Sequence, residues 1–355
     1  MSVLDVVQRR SDAGFGRLAL LILPLAVLVV AAIGVALVMP SISSDVDARD
    51  WYGGVLGGSD LYELNVIFAR IVPFLAGGFI ALALLQRRLL RSVEVNDAQS
   101  LGRHGVTEVV THWLNAVGLV LCLITAVFLL NWIDNPLSLE TAYIIHFIGA
   151  GFSVAAVAHH IAYQLVGGGN GLLPRSRADV KNALGEAVSY TGVYRGRTGV
   201  FGIQLPLNVR RPLQSVLRRY DIAPEPAGKY LATEKVISYT GWAVLVGIVV
   251  ITGLLKALHY IYALPAWLRD ALTFLHDGAT IFFLIFLLIH VGALVLVPRN
   301  WGLLKSMFTT RVSRAYAREH LPAWAAEVDR NAVQTTPSAP HSPATVTDTS
   351  SSEPG

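Results

Sequence analysis

The sequence predicts an all-α integral membrane protein with six transmembrane helices. Of its 355 residues, 54% are hydrophobic and only 15% are charged, and the mean hydropathy is positive. These values lie well outside the range of soluble globular domains. Six stretches are apolar and long enough to cross about 30 Å of hydrocarbon, at about 17–39, 65–86, 109–131, 143–165, 236–258 and 271–297.

The distribution of basic residues predicts how these helices cross the membrane. Arginine and lysine cluster before the first stretch, after the second, between the fourth and fifth, and after the sixth, whereas the other loops are acidic or neutral. Cytoplasmic loops carry the excess of basic residues, so we expect both termini and loop 166–235 in the cytoplasm. The first stretch is not followed by a small-residue cleavage site, and we interpret it as a retained helix.

The chain divides into three predicted regions. Residues 1–100 form an extension with two transmembrane helices, and residues 101–328 hold the other four helices together with loop 166–235. Residues 329–355 are rich in Ser, Thr and Pro, and we expect them to be disordered. The net charge of +4 follows the topology and does not indicate nucleic-acid binding.

Histidines are the metal-binding residues that the composition offers. The single cysteine, Cys122, lies in an apolar run, which excludes a disulfide framework, a Cys-rich cluster and covalent haem attachment. His276 and His290 are fourteen residues apart in the last apolar stretch. They therefore share one helix face, roughly 21 Å apart along the axis. Ionisable side chains inside membrane spans usually face the protein interior and serve function.

The predicted topology gives each of these histidines a partner at the same depth. His112 matches His290 on the cytoplasmic side (the inner pair), and His146 matches His276 on the outside (the outer pair). Two neutral imidazoles from different helices are what axial ligation of a b-type haem requires. His160, fourteen residues after His146, is an alternative partner for His290, whereas His159 points elsewhere and is expected to be interfacial.

Two other interpretations of the histidines remain open at this point. Intramembrane histidines also relay protons in transporters, although two repeated halves and broken helices are not apparent in this sequence. They can also simply pack between helices of a scaffold protein.

Several segments resemble the gamma subunit of respiratory formate dehydrogenase, a four-helix di-haem cytochrome b. The resemblance covers about residues 103–328 and includes HGVTEVVTHWLNAVGLVLCLITAVFL and GKYLATEKVISYTGWAVLVGIVVITGLL. It also includes the two histidines of the last span and the basic tail after them. That tail matches the family at Lys305, Met307, Arg311, Val312, Ser313, Arg314, Ala317, His320, Pro322 and Trp324.

The resemblance implies a four-helix di-haem bundle, here preceded by two extra helices, and a set of ligands. The implied haem ligands are His112, His146, His276 and His290. The family holds a quinone, or menaquinone, near the inner haem, and the implied residues here are Lys229, Tyr230, Glu234 and His290. Of these residues, Glu234 departs from the family pattern, and so do its neighbours Leu231 and Thr233. The quinone site is therefore the least supported part of the resemblance.

Small and basic residues near the histidines have two interpretations each. Gly149, Gly151 and Gly278 follow proposed ligands and serve either close approach of a porphyrin or helix packing. Lys256 lies near the outer pair, where it either meets a haem propionate or extends to the membrane interface.

We therefore expect a membrane-anchoring cytochrome b that is not catalytic on its own. It would sit in a prokaryotic cytoplasmic membrane and pass electrons through two b haems between an iron–sulfur subunit and the quinone pool. A molybdenum, tungsten or hydrogenase-type catalytic subunit would complete the complex. A membrane hydrogenase or thiosulfate reductase anchor is the nearest alternative.

Overall fold

A computed structural model describes residues 59–89, 96–167, 171–174, 176–194, 199 and 204–335. The first predicted transmembrane stretch, 17–39, lies outside these residues, so the count of six helices stays a prediction. Within the described ranges, five helices are long and apolar enough to cross a membrane. They overlap the remaining five predicted stretches.

The five long helices are continuous or nearly so. They are α1 (Ser59–Leu89), α2 (Val106–Leu129), α3 (Leu139–Gly167), α6 (Thr240–Leu258) and α7 (Ala266–Val295). A single π-helical segment, Glu234–Tyr239, leads into α6. Four of the long helices begin three to six residues before the predicted apolar stretch. At α3 a polar residue caps the extra turn: Ser138 Oγ accepts the backbone N–H of Thr141 at 3.1 Å.

The long helices pack as two pairs, α2 with α3 and α6 with α7, and α1 lies mainly against α3. Gly118 on α2 meets Gly149 on α3 so closely that a Cβ on Gly118 would lie 2.5 Å from the Gly149 carbonyl oxygen. The two pairs touch through a buried cluster of Leu119, Val246 and Phe283. His160 on α3 also packs against Trp242 on α6, and a cavity between the pairs leaves space for the site described below.

One end of the bundle, which we call the loop-rich end, carries the short elements. These are β1 (Ser100–Gly102), α4 (Arg177–Ser189), α5 (Leu207–Arg219), a 3-10 turn (Pro298–Asn300), α8 (Trp301–Thr309), β2 (Arg311–Ser313), α9 (Arg314–His320) and α10 (Pro322–Thr335). Among the described residues, the opposite short-loop end holds the connections 130–138 and 259–265.

The loop-rich end has a small core of its own. Strand β1 pairs antiparallel with β2, so that Leu101 lies opposite Val312. Both are buried with Leu231, Leu321 and Trp324. The segment before α2, the segment before α6 and the C-terminal segment are thereby fixed together.

The last helix extends beyond the predicted domain boundary. Helix α10 continues to Thr335, whereas the disordered tail was predicted to begin at residue 329. The rest of that predicted tail lies outside the described residues.

Candidate functional site

The outer pair of histidines meets near the short-loop end. His146 projects from α3 and His276 from α7, and their ring centres are 6.5 Å apart with the ring planes at 62°. The two side chains come from opposite helix pairs, so the structure brings together two residues that sequence reasoning paired by depth alone.

Each ring of the outer pair is held by a threonine on the neighbouring helix. Thr125 Oγ1 lies 2.9 Å from His146 Nδ1, and Thr252 Oγ1 lies 3.1 Å from His276 Nδ1. The Thr125 hydroxyl donates to the carbonyl of Leu121 or Cys122, and the Thr252 hydroxyl donates to that of Ile248. A hydroxyl has one proton to donate, so each threonine accepts from an Nδ1–H.

This arrangement fixes the protonation of both imidazoles. Because each Nδ1 carries the proton, each Nε2 keeps its lone pair. His276 Nδ1 also lies 3.1 Å from the Val249 carbonyl oxygen, which strengthens the same tautomer. Neutral histidines whose second nitrogen donates to an outer partner are the usual form of a metal ligand.

A cavity of about 260 Å³ opens around the outer pair, between the two helix pairs. Its walls are mostly apolar. Gly253 has no side chain, which leaves room for the His276 ring, because a Cβ at this position would lie 3.0 Å from His276 Cε1. Lys256 and Asp277 also face this cavity, and their charged groups are 3.9 Å apart. A propionate-bearing group bound there would meet one cation and one carboxylate.

The outer pair fits a haem iron. Two nitrogens at about 2 Å from one metal place the centres of their rings roughly 6 Å apart, close to the observed 6.5 Å. The apolar walls and the gap between helix pairs suit a porphyrin, and the Lys256 ammonium suits a propionate. When bound, a haem supplies one-electron chemistry at this position.

The inner pair lies nearer the loop-rich end. His112 lies in the first third of α2 and His290 near the end of α7. The His290 ring stacks on Phe286, with ring centres 6.0 Å apart and planes at 15°. Trp113, the neighbour of His112, donates its indole N–H to the Met307 carbonyl at 2.7 Å, which links α2 to α8.

The alternative inner ligand, His160, is engaged elsewhere. Its Nε2 lies 2.8 Å from the Tyr239 hydroxyl, and its ring packs against Trp242. In His160 the engaged nitrogen is therefore Nε2, the one that stays available in both histidines of the outer pair, and this favours His112 as the partner of His290. His159 is buried in the contact between α3 and α1, where it lies 2.7 Å from Gln86 Oε1.

The residues implied for quinone binding surround a buried arginine. Arg103, with only 1% of its side chain exposed, holds Glu234 through Nη2 at 2.9 and 2.6 Å. Its Nε donates to the Lys229 carbonyl at 3.2 Å, and its guanidinium lies 5.4 Å from the centre of the Tyr230 ring. Lys229, Tyr230 and Glu234 are thus held in one place. Glu234 is a partner in an ion pair.

His104 completes this cluster and is held neutral. Arg103 Nη1 lies 3.0 Å from His104 Nε2, and a guanidinium can only donate, so Nε2 accepts and Nδ1 carries the proton. Burial lowers the pKa of His104, and the charge of Arg103 lowers it further against the opposing effect of Glu108 and Glu234.

The sequence gives little indication of several residues that contact the histidines. Thr125, Thr252 and Gly253 are ordinary small residues of apolar helices, and only the packing shows that they hold or admit the histidines. Arg103 could have been noted as the basic residue nearest the start of α2. Of the glycines after His146, Gly149 serves packing because it meets Gly118, whereas Gly151 faces Leu75 on α1 at an ordinary distance.

Comparison with known proteins gives one family. A family model described as prokaryotic cytochrome b561 matches residues 103–310, which include all four histidines of the two pairs. No curated protein matches the chain significantly.

Proposed function

Because the chain belongs to the prokaryotic cytochrome b561 family, we propose that it is the membrane-anchoring subunit of a respiratory dehydrogenase complex of the formate dehydrogenase type. Membership makes the chain a multi-pass membrane protein that binds haem b and transfers electrons. It favours electron transfer over the transporter alternative. The number of haems, the quinone and the partner subunits belong to the proposal.

The geometry of the outer pair carries the proposal. His146 and His276 face each other at 6.5 Å, and each offers an unprotonated Nε2 because Nδ1 donates to a threonine. These two residues would hold the iron of one haem b. Thr125 and Thr252 orient the rings, and the apolar walls exclude water.

The inner pair supports a second haem b at the other end of the same helices. His112 and His290 would hold it, with Phe286 packed against the His290 ring. Fourteen residues of α7 separate His276 from His290, roughly 21 Å of helix. Stacked sites at two depths are the arrangement expected of a subunit that carries electrons across a membrane.

Quinone would exchange electrons at the loop-rich end. Lys229, Tyr230 and Glu234 are gathered around Arg103. In this proposal electrons enter at the outer pair from an iron–sulfur subunit and leave to quinone beside the inner pair. The loop-rich end would face the cytoplasm.

Purification of the tagged chain from its native membranes tests this proposal. We expect an iron–sulfur subunit and a molybdenum- or tungsten-containing subunit to copurify. We also expect formate to reduce the haem, which the absorbance spectrum would show. A short-chain quinone should then reoxidise it. The variant His276→Ala should lose formate-driven reduction. The control variant Thr309→Val, at an exposed position of α8, should keep it.

Two results would overturn the assignment. Reduction by hydrogen and not by formate would show that the partner is a hydrogenase. Absence of any iron–sulfur partner, with haem that no substrate reduces, would show that the chain does not anchor a dehydrogenase.

A further inference from the structure

A second cavity lies outside the histidine pairs, between α1, α2 and α3. Its volume is about 390 Å³, and almost all of its lining is apolar. Helix α1 forms one wall from Leu64 to Gln86, a length of roughly 33 Å. This helix precedes the residues 103–310 that match the family, so the cavity is built partly by a segment outside the matched region.

The cavity ends in a small polar cluster at the loop-rich end. Gln86 and His159, each only 3% exposed, are joined by a contact of 2.7 Å between Gln86 Oε1 and His159 Nε2. Because the amide oxygen only accepts, His159 Nε2 donates and its Nδ1 is an acceptor. Thr111 Oγ1, 3.3 Å from that Nδ1, donates to it.

This cluster leaves one donor group that can face a ligand. The amide nitrogen of Gln86 hydrogen-bonds to none of the described residues, and Gln86 lines the cavity. The side chain as a whole is only 3% exposed, but its amide nitrogen is not one of the fully buried atoms without a partner, so it is accessible from the cavity. A ligand that fills the cavity and presents an acceptor oxygen to Gln86 would satisfy it.

The chemistry of the lining narrows the class of ligand. None of the described residues that line the cavity carries a formal charge, which does not suit the phosphate of a phospholipid. A long apolar body with a neutral carbonyl at one end does suit it. The carbonyl end would sit beside Thr111, the neighbour of the proposed inner ligand His112.

We propose that this cavity binds an isoprenoid quinone, with a ring carbonyl accepting from the Gln86 amide and the isoprenoid tail lying along α1. The inference rests on the proposed function in that it takes quinone as the electron partner. It places a quinone at a site distinct from Lys229, Tyr230 and Glu234, and α1 forms one wall of that site.

Photolabelling tests the proposal on the full-length haem-loaded protein. The probe is a short-chain quinone carrying a photoreactive azide, and labelled peptides are mapped by mass spectrometry. We expect label on peptides of α1 and α3 that line the cavity. Gln86→Leu removes the proposed hydrogen bond to the quinone together with the one to His159, and it should lower labelling about tenfold.

Gly151→Leu fills the cavity by a different route. A Cβ at Gly151 meets only Leu75 Cδ2, at an ordinary 3.5 Å, so the rest of the new side chain must enter the cavity and displace the probe. Val117→Leu on the exposed face of α2 is the matched control and should label as wild type does. An unchanged haem spectrum in each variant shows that the bundle is intact.

Three outcomes would overturn the inference. Label confined to residues 228–239 would show a quinone site near Arg103 and none in the cavity. Equal label in wild type, Gln86→Leu and Gly151→Leu would show nonspecific contact. Displacement of the probe by phospholipid as readily as by unlabelled quinone would make the cavity a lipid site. In each case a normal haem spectrum and substrate-driven haem reduction would leave the proposed function standing.

Discussion

Replacing Thr125 by valine removes the acceptor that holds the outer-pair ligand His146 while keeping the shape of the side chain. A hydrogen bond from Nδ1–H makes the other nitrogen a stronger donor to iron and so favours the ferric state. Losing one such bond costs about 0.5–1.5 kcal/mol. A one-electron potential changes by 59 mV for each 1.4 kcal/mol of difference between the two oxidation states. The midpoint potential of the outer haem should therefore rise, by roughly 20–60 mV if the bond stabilises the ferric state alone and by less if it also stabilises the ferrous state.

The structure also predicts which of the two threonines matters more. In Thr252→Val the Val249 carbonyl, 3.1 Å from His276 Nδ1, still accepts the proton, so the rise should be smaller than in Thr125→Val. Potentiometric titration of the haem absorbance band measures the midpoint potential of both variants, with Thr309→Val as the control. Variants that keep their haem and titrate at the wild-type potential, or below it, would refute the reasoning.

Three further predictions concern stability. Gly118→Ala places a Cβ 2.5 Å from the Gly149 carbonyl oxygen and should cost about 1–3 kcal/mol by overpacking, whereas Gly77→Ala enters open space and should not lower the melting temperature. Arg103→Met leaves Glu234, which is 26% exposed, without its cation and should cost about 2–3 kcal/mol. Adding Glu234→Gln should then cost little more, and simple additivity of the two changes would contradict a coupled pair. Burial lowers the pKa of His104 in the folded state, so the unfolded chain binds more protons below about pH 6.5. Stability should fall as the pH drops below that value until the folded-state pKa is reached, and His104→Gln should flatten this part of a melting-temperature profile. An equally steep profile in the variant would assign the effect to other groups.

The membrane helices could be predicted from the sequence because hydropathy alone determines which segments enter a bilayer. The described helices α1, α2, α3, α6 and α7 overlap the predicted stretches. Four of the helices begin several residues before the apolar run, and at α3 the polar cap Ser138 extends the helix beyond it. The meeting of His146 with His276 could also be anticipated, since alternating topology places both at one depth.

The contacts that orient the histidines could not be predicted in this way. Thr125 precedes His146 by 21 residues and Thr252 precedes His276 by 24, and each pairing depends on the rotation of one helix against another. Hydropathy contains no information about that rotation. The approach of Gly118 to Gly149 and the burial of Arg103 against Glu234 have the same origin, since both arise from packing between distant segments.

The haem content of the purified protein tests the central claim most directly. Pyridine haemochrome analysis, with a reduced-minus-oxidised spectrum, should give two b haems per chain in the wild type. One should be lost in His112→Ala and neither in His160→Ala, because the structure engages His160 Nε2 with Tyr239. A chain that binds no haem, or that keeps both haems in His112→Ala and loses one in His160→Ala, would contradict the account.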